Sequence, residues 1–424
     1  ELALTAAQAT THAITGSGQA FVTDLALATD ADLDGIATDL TIDLEATAST
    51  ALTTGATISI AADKTLTVTS TTGDSAQSRL DVTAATTFEI DNGGSGTASI
   101  VLANSETELA LTAAQATTHA ITGSGNVVIQ TLDASAADIS SVTNTGTVTL
   151  DLGDAGTTTL VDGFNFAARA YNVTSTGAQT LNVESLSTNP FDATELGLSG
   201  NVTLELNTTQ ANGLILTGTG AVQIATDASD GTKFVLDGAK TMDVSEFATT
   251  LSEIRFEDET GAAATELDIR TGSTLKMTAN RASGETISGA GAVEITDLDL
   301  KQDADLANVT VTGGLAIDLE ATSATLTSAA NLGATTLSVV STGGAATLDV
   351  TAVSPAADMA VTSIATGNDV TVTLTAEQAN GLTVNGTGDA IITDVALTPA
   401  ADLDAVTPSA GVTIDLEATR NTSM

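Results

Sequence analysis

The sequence predicts an all-β protein wound as a β-solenoid, and a right-handed parallel β-helix is the expected form. Three observations lead to this prediction. Long phrases return along the chain, the apolar stretches are short and alternate with threonine, and long helical periodicity is absent. Tandem β-sandwich domains are the alternative, because they also consist of many short strands separated by turns.

The repeat is visible in the first residues. The segment ELALTAAQATTHAITGSG, residues Glu1–Gly18, returns unchanged as Glu108–Gly125. Each copy places a Gly-X-Gly corner twelve residues after a leading Leu or Met, and the leading residues are Leu4, Leu111, Leu206, Met277 and Leu374. Such phrases are typical of repeat proteins, in which each unit buries its apolar surface only against its neighbours.

The intervals between the copies predict the size of one coil. The first glycine of the corner returns after 107, 95, 71 and 97 residues, which suggests coils of roughly 20–24 residues and about 18–20 coils in all. A solenoid can lose a whole coil and restack, whereas a sandwich domain cannot. We therefore divide the chain into five repeat modules, 1–107, 108–203 (with an insertion near 162–171), 204–273, 274–371 and 372–424.

The strands follow from alternation along the chain. In the segment TLTVTST from Thr65, Leu66 and Val68 share one face and threonines occupy the other, as expected for a strand with one buried face. The phrases LTAAQAT and ADLDGIAT are expected to form single helical turns at corners. The residues expected to carry the core are Leu66, Val68, Ile295 and Ile317, and those expected to allow the corners are Gly16, Gly18, Gly218 and Gly220.

Charge and composition restrict the possible partners. There are 53 acidic and 11 basic residues, a net charge of −42. Nucleic acid and anionic membrane surfaces both need clustered Lys and Arg, which this chain lacks. No apolar run is long enough for membrane insertion, and the absence of Cys excludes disulfides and thiolate chemistry. The repulsion within such an acidic protein has to be screened by salt or by bound Ca²⁺.

One motif resembles the start of a calcium-binding loop. Asp30, Asp32 and Asp34 form DxDxDG with Gly35, but the twelfth position is Thr41 instead of an acidic residue. The corresponding phrases in the other modules keep only Ala-Asp followed by Leu or Ile. Two interpretations stay open, a corner capped by an aspartate and a Ca²⁺ site at these three carboxylates.

Two other groups of residues are candidates for function. His12 and His119 are the only histidines, and we interpret them as structural because other copies have Leu214, Glu285 and Leu382 at that position. The Gly-X-Gly corners lack the third glycine and the lysine of nucleotide-binding loops. With 2% aromatics and few basic residues, we do not expect an enzyme.

An aromatic segment interrupts the second module. Asp162–Tyr171 contains Phe164, Phe166 and the only tyrosine, Tyr171. These three residues are either an insertion that packs over the solenoid or a ligand-binding surface, and we favour packing.

The sequence is rich in Thr, Ala, Gly and Asp and contains segments such as LTVNGTGDAIITD and VTIDLEAT. In these features it resembles bacterial surface-layer proteins and giant repetitive adhesins. This resemblance implies a secreted protein of the cell surface whose assembly depends on Ca²⁺. The expected function is structural, a layer or filament in which copies associate head to tail or laterally through stacked repeats and cation-bridged acidic surfaces. The alternative is the stalk or ligand-binding region of a large adhesin, with a cell-surface glycan as partner.

Overall fold

The chain forms a parallel β-solenoid of about 16 turns in a computed structural model, with 45% of residues in strands and 7% in helices. The count of turns is slightly below the 18–20 predicted. The structure describes residues 1–10, 12–45, 49–60, 64–70, 77–85, 87–90, 99–117, 119–132, 137–154, 156–167, 169–186, 195–248, 250–333, 336–355, 359, 361–395, 398 and 400–415.

Two compact units divide the chain. The first contains residues Glu1–Leu206, Leu214–Gln223 and Ala248–Ile254, and the second contains Asn207–Gly213, Ile224–Phe247 and Arg255–Met424. Both units contain copies of the repeated phrase.

The strands of the first half are short, three to six residues each. They are β1 (Leu2–Thr5), β2 (Gln19–Thr23), β3 (Asp39–Asp43), β4 (Ser49–Ala51), β5 (Thr57–Ile60), β6 (Thr65–Thr69), β7 (Ser78–Asp81), β8 (Thr87–Ile90), β9 (Ser99–Leu102), β10 (Thr107–Thr112), β11 (Ala120–Gly123), β12 (Asn126–Gln130), β13 (Val148–Asp151), β14 (Gly156–Thr159), β15 (Tyr171–Thr174), β16 (Gln179–Asn182), β17 (Glu195–Leu198), β18 (Val202–Asn207) and β19 (Ile215–Gly218).

The second half continues the same pattern. Its strands are β20 (Ala221–Ala225), β21 (Lys233–Leu236), β22 (Thr241–Asp243), β23 (Glu253–Phe256), β24 (Glu266–Ile269), β25 (Thr274–Thr278), β26 (Ile287–Gly289), β27 (Ala292–Thr296), β28 (Val309–Val311), β29 (Leu315–Asp318), β30 (Ala324–Thr325), β31 (Thr336–Val340), β32 (Ala346–Asp349), β33 (Ser363–Thr366), β34 (Val370–Thr375), β35 (Thr383–Gly386), β36 (Asp389–Thr393) and β37 (Gly411–Ile414).

In the part of the chain that the structure describes, helical structure is confined to single turns at corners. Five α-helical turns each begin two residues after a leading Leu or Met of the repeat, and two 3₁₀ turns cover Leu25–Leu27 and Leu298–Leu300. The prediction of a helical turn at LTAAQAT is therefore confirmed. The same prediction at ADLDGIAT is wrong, because Ala31–Thr38 forms a non-helical corner. The α-helical turns are α1 (Ala6–Ala9), α2 (Ala113–Thr117), α3 (Thr208–Ala211), α4 (Ala279–Ala282) and α5 (Ala376–Ala379).

The strands stack into parallel sheets. In the first unit the main sheets run in the orders β1-β2-β3-β6-β9-β11 and β19-β17-β15-β13-β12-β10-β7-β4, and in the second unit β22-β25-β27-β29-β31-β33-β35, β21-β24-β26-β28 and β30-β32-β34-β36-β37. Within the described residues the one antiparallel contact is an isolated bridge between Glu257 and Ala263. This parallel pairing confirms the solenoid and excludes tandem β-sandwiches, whose sheets are antiparallel.

The core consists of columns of aliphatic side chains, because strand register places one buried residue directly on the next. One column of the first unit is Ala20, Leu40, Leu66, Ile100 and Ile121, and one of the second is Leu275, Val293, Leu315, Leu337, Ile364 and Val384. Every residue of both columns is at most 1% exposed. Full burial of such a side chain contributes about 1.5–3 kcal/mol.

The predicted core residues are confirmed, because Leu66, Val68, Ile295 and Ile317 all have no exposed surface. Their burial follows from the strand period of two, which puts each of them on the inner face of its strand.

The repeated phrase forms a coil of constant length. In four copies the strand before the helical turn pairs with the strand after the Gly-X-Gly corner at an offset of 18 residues, as for Leu2 with Ala20 and Glu108 with Asn126. Other coils are longer, and Thr65 pairs with Ser99 at an offset of 34. The coil that carries the repeat is therefore shorter than the predicted 20–24 residues, and the variable coils account for the irregular intervals.

In four of the five copies, close packing of successive coils requires both glycines of the Gly-X-Gly corner. Gly218 has φ +96°, and a Cβ added there would lie 2.2 Å from the carbonyl oxygen of Leu198 in the preceding coil. A Cβ at Gly220 would lie 2.6 Å from the Leu198 Cβ. At Gly16 and Gly18 no atom lies within 4 Å of an added Cβ, so only the backbone conformation of Gly16, φ +138°, favours glycine there.

We predict that Gly218→Ala destabilises the first unit by about 3–5 kcal/mol, because the new methyl group adds a backbone clash to a left-handed conformation. Gly153→Ala is the matched control in the same unit. Gly153 also has a positive φ, +77°, but has no atom within 4 Å of the added Cβ, so we expect a loss of about 1 kcal/mol. Urea unfolding followed by circular dichroism measures both, and equal losses would show that close packing is not the cause.

Candidate functional site

The repeated helical turn joins its coil to the coil before it. In α1 and α5 the residue before the helix accepts a hydrogen bond from the backbone N–H of a glutamine, whose side chain accepts one in return. This is the capping box expected for Thr-x-x-Gln. The glutamine of α5 does more, because the Nε2 of Gln378 donates to the carbonyl oxygens of Val350 at 2.6 Å and Val353 at 2.7 Å.

The same bond forms in the second copy, where the Nε2 of Gln115 donates to the carbonyl oxygen of Val82 at 2.9 Å. In the fourth copy Arg281 replaces the glutamine and Thr278 makes no side-chain capping bond. Burial lowers the pKa of Arg281. The glutamine of the repeat therefore makes an inter-coil hydrogen bond in the second and fifth copies. The sequence alone did not predict this contact.

A second connection lies at the exit of the helical turn. The backbone N–H of Asp305 donates to the Ser283 hydroxyl at 2.9 Å, and the Asp305 carbonyl accepts from Gly284 at 2.8 Å. The Asp305 side chain then accepts from the backbone N–H of Ala307 at 3.1 Å, closing its own corner. Asp402 makes the same three contacts in the fifth copy.

This aspartate supports the corner interpretation of Ala-Asp-(Leu/Ile). Asp138 also accepts from the backbone two residues on, and bonds with Ser140 lower its pKa. The third copy keeps the contact through Asp243, whose backbone contacts Asn212 and Gly213. The sequence analysis did not identify Asp243, because the third copy lacks the Ala-Asp-(Leu/Ile) phrase. The one sequence feature that could have indicated this residue is the apolar-Asp-apolar pattern of Met242–Val244.

The calcium candidate lies at the first of these corners. The Oδ1 of Asp32 accepts from the backbone N–H of Asp34 at 3.2 Å, as in the other copies. A side-chain hydrogen bond with Asp32, and then the charge of Asp32, raise the pKa of Asp34. Across the described residues no group of three or more His, Cys, Asp or Glu is arranged to hold a metal ion. The corner role of Asp32 is visible, and calcium binding by Asp30, Asp32 and Asp34 stays a prediction.

Each histidine ring is hydrogen-bonded to a backbone carbonyl of its own copy of the repeat. His119 is buried, its Nδ1 is hydrogen-bonded to the carbonyl oxygen of Gln115, and its ring lies 5.3 Å from that of Phe88. The Nδ1 of His12 lies 3.0 Å from the carbonyl oxygen of Thr10. These contacts support a structural role for both.

The aromatic segment packs on itself. The rings of Phe164 and Phe166 lie 4.8 Å apart, and those of Phe166 and Tyr171 lie 5.2 Å apart edge to face. Tyr171 is 1% exposed and starts strand β15, where it pairs with Leu196 of the core. Its hydroxyl bonds both the N–H and the carbonyl of Ala167, and burial raises its pKa to about 12.

Tyr171 is therefore a core residue rather than part of an exposed insertion, and Phe164 is buried as well. The neighbouring guanidinium of Arg169 donates to the Asn144 carbonyl at 2.7 Å and to its Oδ1 at 2.6 Å. Geometry supports the packing interpretation of Phe164, Phe166 and Tyr171.

An unbalanced acidic corner lies in the second unit. Burial, and then the charge of Asp299, raise the pKa of Asp297, and Lys276 only partly offsets this. Burial and Asp297 likewise raise the pKa of Glu320. Burial also opposes ionisation of Asp318, but hydrogen bonds from Thr342 and Glu320 outweigh it and lower its pKa. The corner therefore holds more negative charge than its contacts neutralise.

Most basic residues are already paired within the chain. Among the described residues, at least seven of the 11 form salt bridges with carboxylates of the chain, with N–O distances of 2.6–3.5 Å; they are Arg79, Lys233, Lys240, Arg255, Arg270, Lys276 and Lys301. The surface that remains is strongly acidic.

Comparison with protein-family models, with curated proteins and with solved structures found no match to this chain. None of the described helices is long and apolar enough to cross a membrane.

We predict that Gln378→Ala lowers the free energy of unfolding by about 2–3 kcal/mol, because the carbonyls of Val350 and Val353 lose the buried amide donor and the Thr375 N–H loses its acceptor. The Val350 carbonyl keeps the Val353 N–H, and the Thr375 side chain still caps the helical turn. Gln8→Ala is the control. Gln8 is exposed, and its side chain accepts from the Thr5 N–H at 3.0 Å, so we expect a loss below about 1 kcal/mol. Similar urea midpoints for the two variants would contradict the inter-coil role of Gln378.

We predict that Asp297→Asn raises the melting temperature at pH 7 by about 1–2 °C. Asn tolerates the left-handed backbone at this position, φ 51°. Because the folded-state pKa of Asp297 is raised, its contribution to stability is present below its unfolded pKa and is lost as pH rises through the folded value. The advantage of the variant should therefore disappear near pH 4.

Asp318→Asn is the opposite control. The pKa of Asp318 is lowered, so its contribution is present at pH 7 and is lost as pH falls, and the variant should melt lower at pH 7. Calorimetric melting curves between pH 4 and pH 7 test both variants, and a pH-independent difference between Asp297→Asn and the unaltered chain would contradict the assignment.

Proposed function

We propose that this chain is a non-enzymatic structural protein of the bacterial cell surface, secreted and assembled into a layer or filament. The observation that carries the proposal is the stacked parallel coil, in which each turn buries its aliphatic column only against the next turn. A protein built this way extends by repeating one kind of contact.

Axial stacking is supported by the way successive turns are built. Each turn offers parallel backbone groups and an aliphatic column to the next, so a further turn of the same kind adds without a new kind of contact. We propose that copies associate head to tail through such turns.

Lateral association is governed by charge. The net charge is −42, and most basic residues are engaged within the chain. Two such surfaces repel each other until cations lie between them, and Ca²⁺ is suited to this because it prefers carboxylate oxygens. We therefore propose that Ca²⁺ bridges neighbouring copies.

The second candidate function is the stalk of a large adhesin, in which residues other than the aromatic segment would have to bind a surface glycan. The observation that favours a stalk over a ligand-binding region is the burial of Phe164 and Tyr171, at 5% and 1% exposure. Rings packed into the core are not available to stack against a sugar.

We predict that negative-stain microscopy shows ordered sheets or filaments with millimolar Ca²⁺ and loses them when a chelator is added. Dispersed monomers both with and without Ca²⁺ would overturn the proposal.

A further inference from the structure

Two leucines project into solvent at the same place in two modules. Leu27 is 84% exposed and Leu300 is 73% exposed, well above the other large apolar residues of the described chain, which reach at most 48%. Both end a 3₁₀ turn that follows Thr-Asp at the end of a strand, Leu25–Leu27 after β2 and Leu298–Leu300 after β27. The fifth module has Leu397 at this place in its sequence, outside the described residues.

The turn holds the leucine outward by the same bonds in both copies. Asp24 and Asp297 have left-handed backbones, with φ 57° and 51°. The N–H of Leu27 donates to the Asp24 carbonyl at 3.0 Å, and that of Leu300 donates to the Asp297 carbonyl at 3.1 Å. The first residue of each turn is the anchor, since Leu25 and Leu298 are at most 2% exposed.

Folding does not require a leucine at the exposed position. A side chain that stays in water contributes little to stability, and a polar residue would suit an acidic, soluble surface better. Single exposed leucines are common in proteins, but here the exposure is repeated with the same geometry. That repetition indicates a contact with something outside the chain.

The surroundings of the leucines define the chemistry of that contact. A cavity of about 260 Å³ beside Leu27 is lined by Leu25, Leu44 and Thr50 and by the acidic residues Asp24, Asp43 and Glu45, among others. In the second copy Asp297 and Asp299 flank the buried Leu298 of the turn. After burial, the charge of Asp299 raises the pKa of Asp297, and the charge of Asp297 raises the pKa of Glu320. Each leucine thus stands beside several carboxylates.

We propose that the Leu27 and Leu300 corners are docking points for a cationic, amphipathic segment of a different protein, which places aliphatic side chains on the leucines and Lys or Arg among the carboxylates. Charge complementarity selects this partner. A second copy of the chain has few basic groups to offer, because it has only 11 and at least seven of them, in the part that the structure describes, are already paired. An anionic lipid surface would be repelled.

The test measures binding of a short fluorescent peptide of leucine and lysine with one apolar helical face, followed by fluorescence anisotropy at low salt. Leu27→Ser/Leu300→Ser should weaken binding about tenfold. The matched control Ile215→Ser should change it less than about twofold, which is within the usual effect of a surface substitution. Circular dichroism melts confirm that both variants fold.

Two further peptides separate the contributions. A scrambled peptide of the same composition, which lacks the apolar face, should bind at least tenfold more weakly to the unaltered chain, and a peptide with glutamate in place of lysine should not bind. Equal binding of the scrambled peptide, or no change in the double leucine variant, would overturn the proposal. Microscopy of the double variant with Ca²⁺ should still show assemblies, so the docking site and the self-assembly of the proposed function fail or succeed separately.

Discussion

Strand register is the constraint on which the rest of the structure depends. Each buried residue must lie on another buried residue one coil away, and a slip by one position would turn the whole inner face to solvent. Columns such as Leu40, Leu66 and Ile100 meet this condition with side chains of similar size. The narrow core explains why aromatics make up only 2% of the chain, and why the exceptional Tyr171 needs a bonded hydroxyl and two neighbouring phenylalanines.

Repulsion among the acidic residues opposes this packing, and local hydrogen bonds offset part of it. Corner aspartates such as Asp138 and Asp318 are held by backbone hydrogen bonds that stabilise their ionised forms. Burial raises the pKa of both Asp297 and Glu320, and the charge of Lys276 offsets this only in part. Any cation or basic group that reaches them would relieve the repulsion. A cation or basic group bound at these acidic corners would therefore stabilise the molecule, which links the proposed assembly to the proposed docking of a basic segment.

Much of the fold could be predicted because the repeat and the alternation of Leu66 and Val68 depend only on local periodicity. Contacts between coils could not be predicted in this way, because they depend on which residues of neighbouring coils lie next to each other. The Gln378 bond to Val350 crosses from one coil to another, and Asp243 replaces the corner aspartate with different neighbouring residues. ADLDGIAT has helix-forming residues, yet the pairing of Asp32 with Thr57 in the next coil prevents a helix. The exposure of Leu27 was hidden because a leucine normally predicts burial.

The constant offset of 18 residues in the coil that bears the repeat, beside offsets of up to 34 elsewhere, bears on how such a gene changes. Recombination between near-identical phrases would add or delete complete turns and leave every column continuous. An unequal exchange that kept a fraction of a turn would break the alignment above it. Lineages of this protein should therefore differ in length by whole turns, and new peptide sequence should be tolerated in the long coils before it is tolerated in the short one.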